Sequence, residues 1–424
     1  MKSAKFKDSP LGPIPQDWEV KTIAEFGQVV TGSTPPRVDK DNWNGDFPWI
    51  SAQDFRGKYI CESKEHISGQ GKKFCRLLPA ESVLVTCIAS IGLNAIVKIE
   101  CATNQQINAV ICEKGSPDFL YYTMEFNKAR FLNLAGQTAV PIINKGQFET
   151  FTVPYPPLEE QRRIAETLGE VDKLIESLDA QIEKKRLIAQ GLAHDLLGMR
   201  DGKNEPIRRL PGFKGGWRRV PFSQAFTMLN NNTYSRDFMC APREGTVMNI
   251  HYGDVLIKFA CVLDLGVDEV PCLKNGVRPN KDFIQDGDIV IADTAEDETV
   301  GRVVEIQGVG ESQCVSGLHT VLCRPMTNAF ASGFLGYYMN SQSYHDQLMP
   351  LITGSKVSAL SRSSLAKTEL VIPPTIAEQQ AIAEVLAAAD SEIAGLEAKK
   401  RKYEQIKSGM MHDLLTGKVR MKGE

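Results

Sequence analysis

Residues 156–198, PPLEEQRRIAETLGEVDKLIESLDAQIEKKRLIAQGLAHDLLG, decide how this chain is read. Residues 374–416, PTIAEQQAIAEVLAAADSEIAGLEAKKRKYEQIKSGMMHDLLT, repeat them 218 positions later without a gap. Of the 38 columns from Glu160 to Leu197, 17 are identical, which makes the chain two copies of one unit.

Each copy reads as one long helix. In the first, apolar residues fall at Ile164, Leu168, Val171, Ile175, Leu178 and Ile182, then at Ala189, Leu192 and Leu196. The steps alternate four and three, with Lys185 in the one missing place, and that is a heptad seam. The second copy gives Ile382, Leu386, Ala389, Ile393 and Leu396, then Lys400, Tyr403, Lys407, Met410 and Leu414, a weaker middle. One helix with one apolar stripe needs a partner stripe in water. The expected arrangement is an antiparallel two-helix coiled coil, with a globular domain at each end and a pseudo-two-fold axis. The competing arrangement has each helix packed on its own domain. A helix of this length spans roughly 60 Å, and a turn of B-DNA about 34 Å. Gly191 and Gly409 occupy equivalent places before His-Asp-Leu-Leu. A mid-helix glycine costs about 1 kcal/mol relative to alanine, so a close helix approach or a shared bend is expected there. His194 and His412 repeat with the frame and read as structural.

Outward from the helices lie two globular regions. Short β-like runs dominate the first: FGQVVTG, FPWISAQDF, SVLVTCIAS, LNAIVKIE and INAVICEK, with a helical segment near 117–134. The second shows FTMLNNNTY, GDVLIKF, GDIVIAD, TVGRVVEIQG and LHTVLCRP, with a helical segment near 329–348. GDVLIKF and GDIVIAD read as turns leading into buried strands. Trp18 and Trp217 open the two regions; the distances to Glu160 and Glu378 are 142 and 161 residues. The globular halves therefore differ by 19 residues, and they share little beyond their edges, while the helices match column by column. The residues Thr375-Ile-Ala-Glu378 predict a capping box at the second helix. The expected domains are 1–155, 156–200 (first helix), 201–216 (linker), 217–372 and 373–418 (second helix), in an α+β fold with two mixed α/β domains.

Ten cysteines include no CxxC pair and sit mostly in apolar runs, so they read as free thiols in a reducing cytosol. No apolar run reaches the ~20 residues of a membrane helix, and no signal peptide is visible, so a cytoplasmic protein is expected. The net charge of −3 is not the basic balance of a stand-alone nucleic-acid binder.

Two variable regions alternating with helices that begin near PPLEEQ and end near HDLL resemble the DNA-sequence specificity subunit of type I restriction–modification enzymes. TGSTP (31–35), FPWISAQDF (47–55) and GQTAVPIINKGQFETFTVPYPPLEEQ (136–161) resemble the entry and exit of a first target-recognition domain. The resemblance spans essentially the whole chain. It implies that each domain reads one half of an asymmetric bipartite site in double-stranded DNA, and that the helices set the gap. It also implies no catalysis and no cofactor in this chain. Two modification subunits using S-adenosylmethionine on adenine N6, and restriction subunits using ATP and magnesium, are the implied partners.

The residues agree on the absence of catalysis. No NPPY- or DPPY-type tetrapeptide and no GxxxxGK[ST] loop occurs. Asp54 with Glu62-Ser63-Lys64 has the residue types of a metal-dependent nuclease, but only one half carries it. Glycines in TVGRVVEIQGVGES do not form a dinucleotide fingerprint. Loop side chains that hydrogen-bond bases or phosphates are the expected DNA contacts. In the first half these are Ser33, Thr34, Arg37, Lys40, Gln53, Arg56, Lys58, Lys72, Lys73, Arg76, Gln137 and Lys145. In the second they are Asn230, Asn231, Asn232, Tyr234, Arg236, Lys258, Arg278 and Lys356. The acidic segment 264–298 is expected to face away from DNA or toward a partner. The competing functions are a coiled-coil scaffold that never touches DNA, which the net charge favours, and a self-sufficient nuclease. The chain alone is expected to bind DNA weakly and with strong salt dependence.

Overall fold

The computed structural model describes residues 5–136, 140–200, 203–279, 282–354 and 356–421. It divides into two units: residues 1–179 with 398–424, and residues 180–397.

The first unit contains β1 (Glu19–Thr22), β2 (Gly27–Thr31), β3 (Trp43–Ile50), β4 (Tyr59–Ile60), β5 (Glu65–Ile67), β6 (Val83–Thr86), β7 (Asn94–Val97), β8 (Ala102–Thr103) and β9 (Ile107–Cys112). Then come α1 (Pro117–Phe126), α2 (Lys128–Leu132), α3 (Lys145–Glu149) and β10 (Thr152–Tyr155). The main sheet has the order β2-β9-β6-β7-β4, antiparallel except for the parallel β7–β4 edge. Every residue of β6 and β7 is buried, so these strands are covered on both faces and show no in–out alternation of exposure. A second sheet, β8-β3-β5, carries the loops discussed below. Ser116 caps α1, its hydroxyl accepting from the Phe119 N–H at 3.3 Å, and Pro117 takes the first helical position, where no donor is needed. The single helical segment expected at 117–134 breaks at Asn127 into α1 and α2.

The long helix α4 (Leu158–Leu197) follows, and its first half belongs to this unit. Glu160 and Gln161, the first identical pair of the repeat, are buried. Gln161 accepts from Ser116 N–H at 3.0 Å and donates to Pro156 O at 2.9 Å, which fastens the helix to the sheet domain. Glu160 accepts from Trp18 Nε1 at 3.0 Å and from Arg420 Nε and Nη2 at 2.8 and 2.7 Å. Burial raises the Glu160 carboxyl, but the Arg420 and Trp18 hydrogen bonds outweigh it and hold the group below its ordinary value.

The second unit contains β11 (Arg218–Pro221), β12 (Phe226–Leu229), β13 (Met239–Cys240), β14 (Val247–Ile250), α5 (Tyr252–Ile257), β15 (Val262–Asp264), β16 (Cys272–Leu273), β17 (Ile289–Ala292), β18 (Val303–Gln307), β19 (Gln313–Ser316) and β20 (Thr320–Pro325). Next are α6 (Phe334–Met339), α7 (Gln342–Leu348), β21 (Glu369–Ile372) and the long α8 (Ile376–Leu415), whose first half belongs here. Its main sheet has the order β12-β20-β17-β18-β15, again antiparallel except for the parallel β18–β15 edge. Strand for strand this is the plan of the first unit. The fastening recurs too. Glu378 accepts from Trp217 Nε1 at 3.3 Å and from Arg209 Nε and Nη2 at 2.8 and 2.6 Å. Gln379 accepts from Ala331 N–H and donates to Pro373 O. Tyr122 donates to Asp172 at 2.6 Å in the first unit, and Tyr337 to Asp390 at 2.8 Å in the second.

Both long helices run 40 residues over equivalent positions. In the first unit Asp172 pairs with Lys407 at 2.6 Å and Asp179 with Lys400 at 2.5 Å, so the two helix halves run in opposite directions. In the second, Lys185 pairs with Glu392 at 2.6 Å, while Leu196 and Leu197 share a core with Ile382 and Leu386, which again requires opposite directions. Ile164, Leu168, Val171, Leu178, Ile182, Leu196, Ile382, Leu386 and Leu414 are buried; Ile175, Leu192, Ile393, Leu396 and Met410 are half-buried.

Three local expectations are corrected. GDVLIKF is not a strand: residues 252–257 form α5, with His251 Nδ1 accepting from Gly253 N–H at 3.3 Å. Val255 is buried and Ile257 is 87% exposed, a helical rather than an alternating pattern. At the start of α8, Thr375 Oγ1 accepts from Glu378 N–H at 3.3 Å, but the Glu378 carboxylate is committed to Arg209 and Trp217, so only half of the expected box forms. Gly191 and Gly409 meet no neighbour within 4 Å of an added Cβ, so no close helix approach explains them.

Candidate nucleic-acid interface

In the first unit, the loop after β2 is held down from beneath by aromatic donors. Trp49 Nε1 donates to Ser33 O at 3.1 Å, and Trp43 Nε1 and Asn42 Nδ2 donate to Pro36 O at 3.3 and 3.2 Å. Trp43 and Trp49 meet edge to face, with ring centroids 5.1 Å apart. The pairing of β3 with β5 shifts register between Trp43 and Phe47, both opposite Ile67, and this bulge pushes residues 44–46 outward. Asn44 takes φ 58°, and a Cβ on Gly45 would lie 2.4 Å from Ile67 O, so the bulge needs its glycine.

Arg37 projects from this loop. Its guanidinium carbon sits 3.8 Å from the centre of the Trp43 ring and 5.0 Å from that of Trp49. Nη1 and Nη2 donate to the two oxygens of Glu65 at 2.5 and 2.9 Å. That pairing holds the Glu65 carboxyl below its ordinary value and raises the guanidinium of Arg37. Arg37, Lys40, Trp43, Asn44, Lys64, Glu65 and His66 line a cleft of about 520 Å³.

Of the other expected contacts in this unit, Gln53, Arg56 and Lys73 are exposed. Ser33, Thr34 and Arg76 are drawn into the loop framework: Ser33 Oγ accepts from Arg76 N–H, Arg76 Nη1 donates to Thr31 O, and Thr34 bonds Gln105. The Lys72 ammonium lies over the Phe47 ring at 3.9 Å, and Lys145 pairs with Glu149 along α3. Lys58 corrects the expectation. Its side chain is 8% exposed, 2.7 Å from Asp118 and 3.1 Å from Tyr122 Oη, so it ties β4 to α1. Gln137 lies outside the described residues.

In the second unit, the run Asn230-Asn231-Asn232 builds its own loop. The backbone N–H and side-chain amide of Asn230 donate to Asp282 at 2.9 and 2.8 Å. Asn231 donates to Gly317 O and accepts from Arg362. Asn232 is buried and donates to Asn249 at 2.6 Å, so it too is corrected from contact to framework. Tyr234 donates to Arg278 O at 2.9 Å, Arg236 pairs with Asp254 at 2.9 Å, and Lys258 donates to Glu269 O at 2.5 Å. Arg278 and Lys356 are exposed.

The nuclease pattern does not assemble. Asp54 is buried and accepts from Ser51 N–H and Lys64 N–H at 2.8 and 3.0 Å. Among the described residues no three His, Cys, Asp or Glu side chains are grouped to hold a metal ion. All ten cysteines are free thiols. No helix among the described residues is long and apolar enough to cross a membrane.

Residues missed in the sequence are Trp43, Asn44, Lys64, Glu65 and His66. Two tryptophans six positions apart around a glycine were a readable signal of a bulged, aromatic-lined loop.

The family model described as the type I restriction modification DNA specificity domain matches residues 15–185. The specificity subunit of the type I restriction enzyme MjaIX of Methanocaldococcus jannaschii is 35% identical over 193 residues, 44% of this chain and 45% of that protein. The chain thus spans less than half the length of that relative. The MjaVIII specificity subunit of the same organism is 22% identical over 436 residues, 99% of this chain and 97% of that protein. A crystal structure of the S subunit of a type I restriction–modification system from M. genitalium shares the fold, with a TM-score of 0.57 at 14% identity over 97% of this chain and 99% of that one. Residues 15–185 therefore match a type I restriction modification DNA specificity domain, and along its length the chain is similar to specificity subunits of type I restriction–modification systems.

Proposed function

We propose that the chain is the non-catalytic subunit that gives a type I restriction–modification complex its DNA sequence. Each unit reads one half of a bipartite site in double-stranded DNA. The long helices form an antiparallel coiled coil that sets the gap and docks two modification subunits. In this reading S-adenosylmethionine, ATP and magnesium are used by modification and restriction subunits. The observation that carries it is the pairing of sameness and difference: one strand order built twice from dissimilar sequence, on helices that repeat column for column. A protein that reads two unrelated half-sites through one kind of partner needs that combination. The net charge of −3 favours the rival reading, a scaffold joining proteins only.

The test is a map of methylated adenines in the host with and without the gene. A bipartite motif that vanishes on deletion supports the proposal, and an unchanged methylome leaves the scaffold. The ruler role has its own test. Removing residues 178–184 and 396–402, one heptad from each helix, shortens the gap of the motif and leaves both half-sites intact. Altered half-sites would sink the ruler.

A further inference from the structure

We propose that Arg37, braced by Glu65 and stacked on Trp43, reads a guanine in the half-site recognised by the first unit. This deepens the DNA-reading role proposed above and rests on it.

The argument begins with the two edges of a guanidinium. Glu65 takes the end edge, one N–H from each of Nη1 and Nη2. The side edge, Nε–H with the outer Nη2–H, is left over, and Nε has no partner among the described residues. Two parallel N–H groups at that spacing match O6 and N7 of guanine in the major groove. The side chain is 53% exposed, so the edge is reachable.

Its aim is also fixed before any DNA arrives. The Trp43 face and the Glu65 carboxylate restrict a side chain that would otherwise lose rotamer freedom on binding. Trp43 itself is held by its bond to Pro36 O, on the loop that carries Arg37.

Charge separates a base from a phosphate. Paired to Glu65, Arg37 adds almost no net charge to the site, and a phosphate would approach a carboxylate as well as a guanidinium. A base edge is recognised by donor geometry, which the pairing keeps. Lys40 and Lys64, in the same cleft, pair with no carboxylate among the described residues and are left for the backbone.

The experiment replaces the chromosomal gene with Arg37→Lys or Glu65→Gln and maps methylated adenines. For Arg37→Lys the motif should widen at one guanine of one half-site, with preference there falling roughly 10-fold or more. The other half and the gap should stay as in wild type. Glu65→Gln should relax the same position less. The same motif methylated more weakly at every site would mean a phosphate contact and overturn the proposal, as would no change. If Arg37→Lys fails to accumulate, Glu65→Gln decides, since it keeps the size of the side chain: relaxation at one guanine supports the brace, and an intact motif refutes it. Deletion of the gene without loss of any motif would instead refute DNA reading itself.

Discussion

At one register position the two units hold opposite residues. Ile96 pairs with Val83 and Tyr59 in the first sheet; Glu305 pairs with Ile289 and Val262 in the second. Both are buried. The helix that follows the sheet explains the difference. In the first unit α1 is capped within its own segment by Ser116, so Ile96 beneath it has no cap to supply. In the second, α6 begins after Gly333, at φ 81°, with no side-chain cap of its own. Glu305 reaches up from β18 and accepts from Gly333 and Gly336 N–H at 2.6 and 2.8 Å. One fold meets the same need for a helix cap from two different places. By contrast, the Trp–Glu–Arg clamps at the helix starts are the same in both units. The repeated chemistry holds each domain to its helix, and the interiors are free to differ.

The clamps should give the largest effect. Glu160→Ala leaves Arg420 only Asp17 as a carboxylate partner, and Glu378→Ala leaves Arg209 none among the described residues; these side chains are only 12% and 19% exposed, and the second variant should cost more. Removing one partner of such a buried pair costs about 3 kcal/mol. Each substitution should lower hydrogen-exchange protection in its own unit and spare the other. A loss below about 1 kcal/mol, or equal loss in both units, would mean that the clamps are not the fastening described.

Glu305 should make the second unit sensitive to pH at a position where the first holds Ile96. Burial pushes its carboxyl from 4.5 up to about 7, against the two N–H bonds that favour the charged form. The folded unit therefore keeps a proton that the unfolded chain releases. Stability is greatest below the unfolded value and falls as pH rises through the window from 4.5 to about 7. The slope is about 1.4 kcal/mol per pH unit. Urea melts of wild type and Glu305→Gln across that window should diverge with this sign. Parallel curves would show that the carboxyl is ionised throughout.

The frame was legible in the sequence because its signals are local and periodic. The heptad seam and the 218-residue repeat marked both long helices, expected within 156–200 and 373–418 and observed at Leu158–Leu197 and Ile376–Leu415. The roles of Glu160 and Glu378 were not, since their partners lie far along the chain: Trp18 and Arg420 for one, Trp217 and Arg209 for the other. GDVLIKF misled because three apolar residues in a row fit a strand as well as one helical turn. The common sheet plan was hidden because sheet order depends on pairing between segments that share no residues. The candidate interface was half legible. Polar loop residues were visible, but not which of them the fold would consume, as Asn232 and Lys58 are consumed.

The smallest effect concerns Gly191 and Gly409, one in each unit. Both are exposed, and an alanine Cβ at either would meet open space. The packing of the free chain therefore gives no reason for a glycine, and the backbone freedom it adds to the unfolded state is a net loss. Gly191→Ala should stabilise the second unit and Gly409→Ala the first, each by up to about 1 kcal/mol, and the increments should add because the sites lie in separate units. Thermal melts of the two single variants and the double variant measure this. Destabilisation by either alanine would show that the helix departs from regular geometry at that turn, which restores the shared-bend reading; a gain at one site only would break the equivalence of the two helices there.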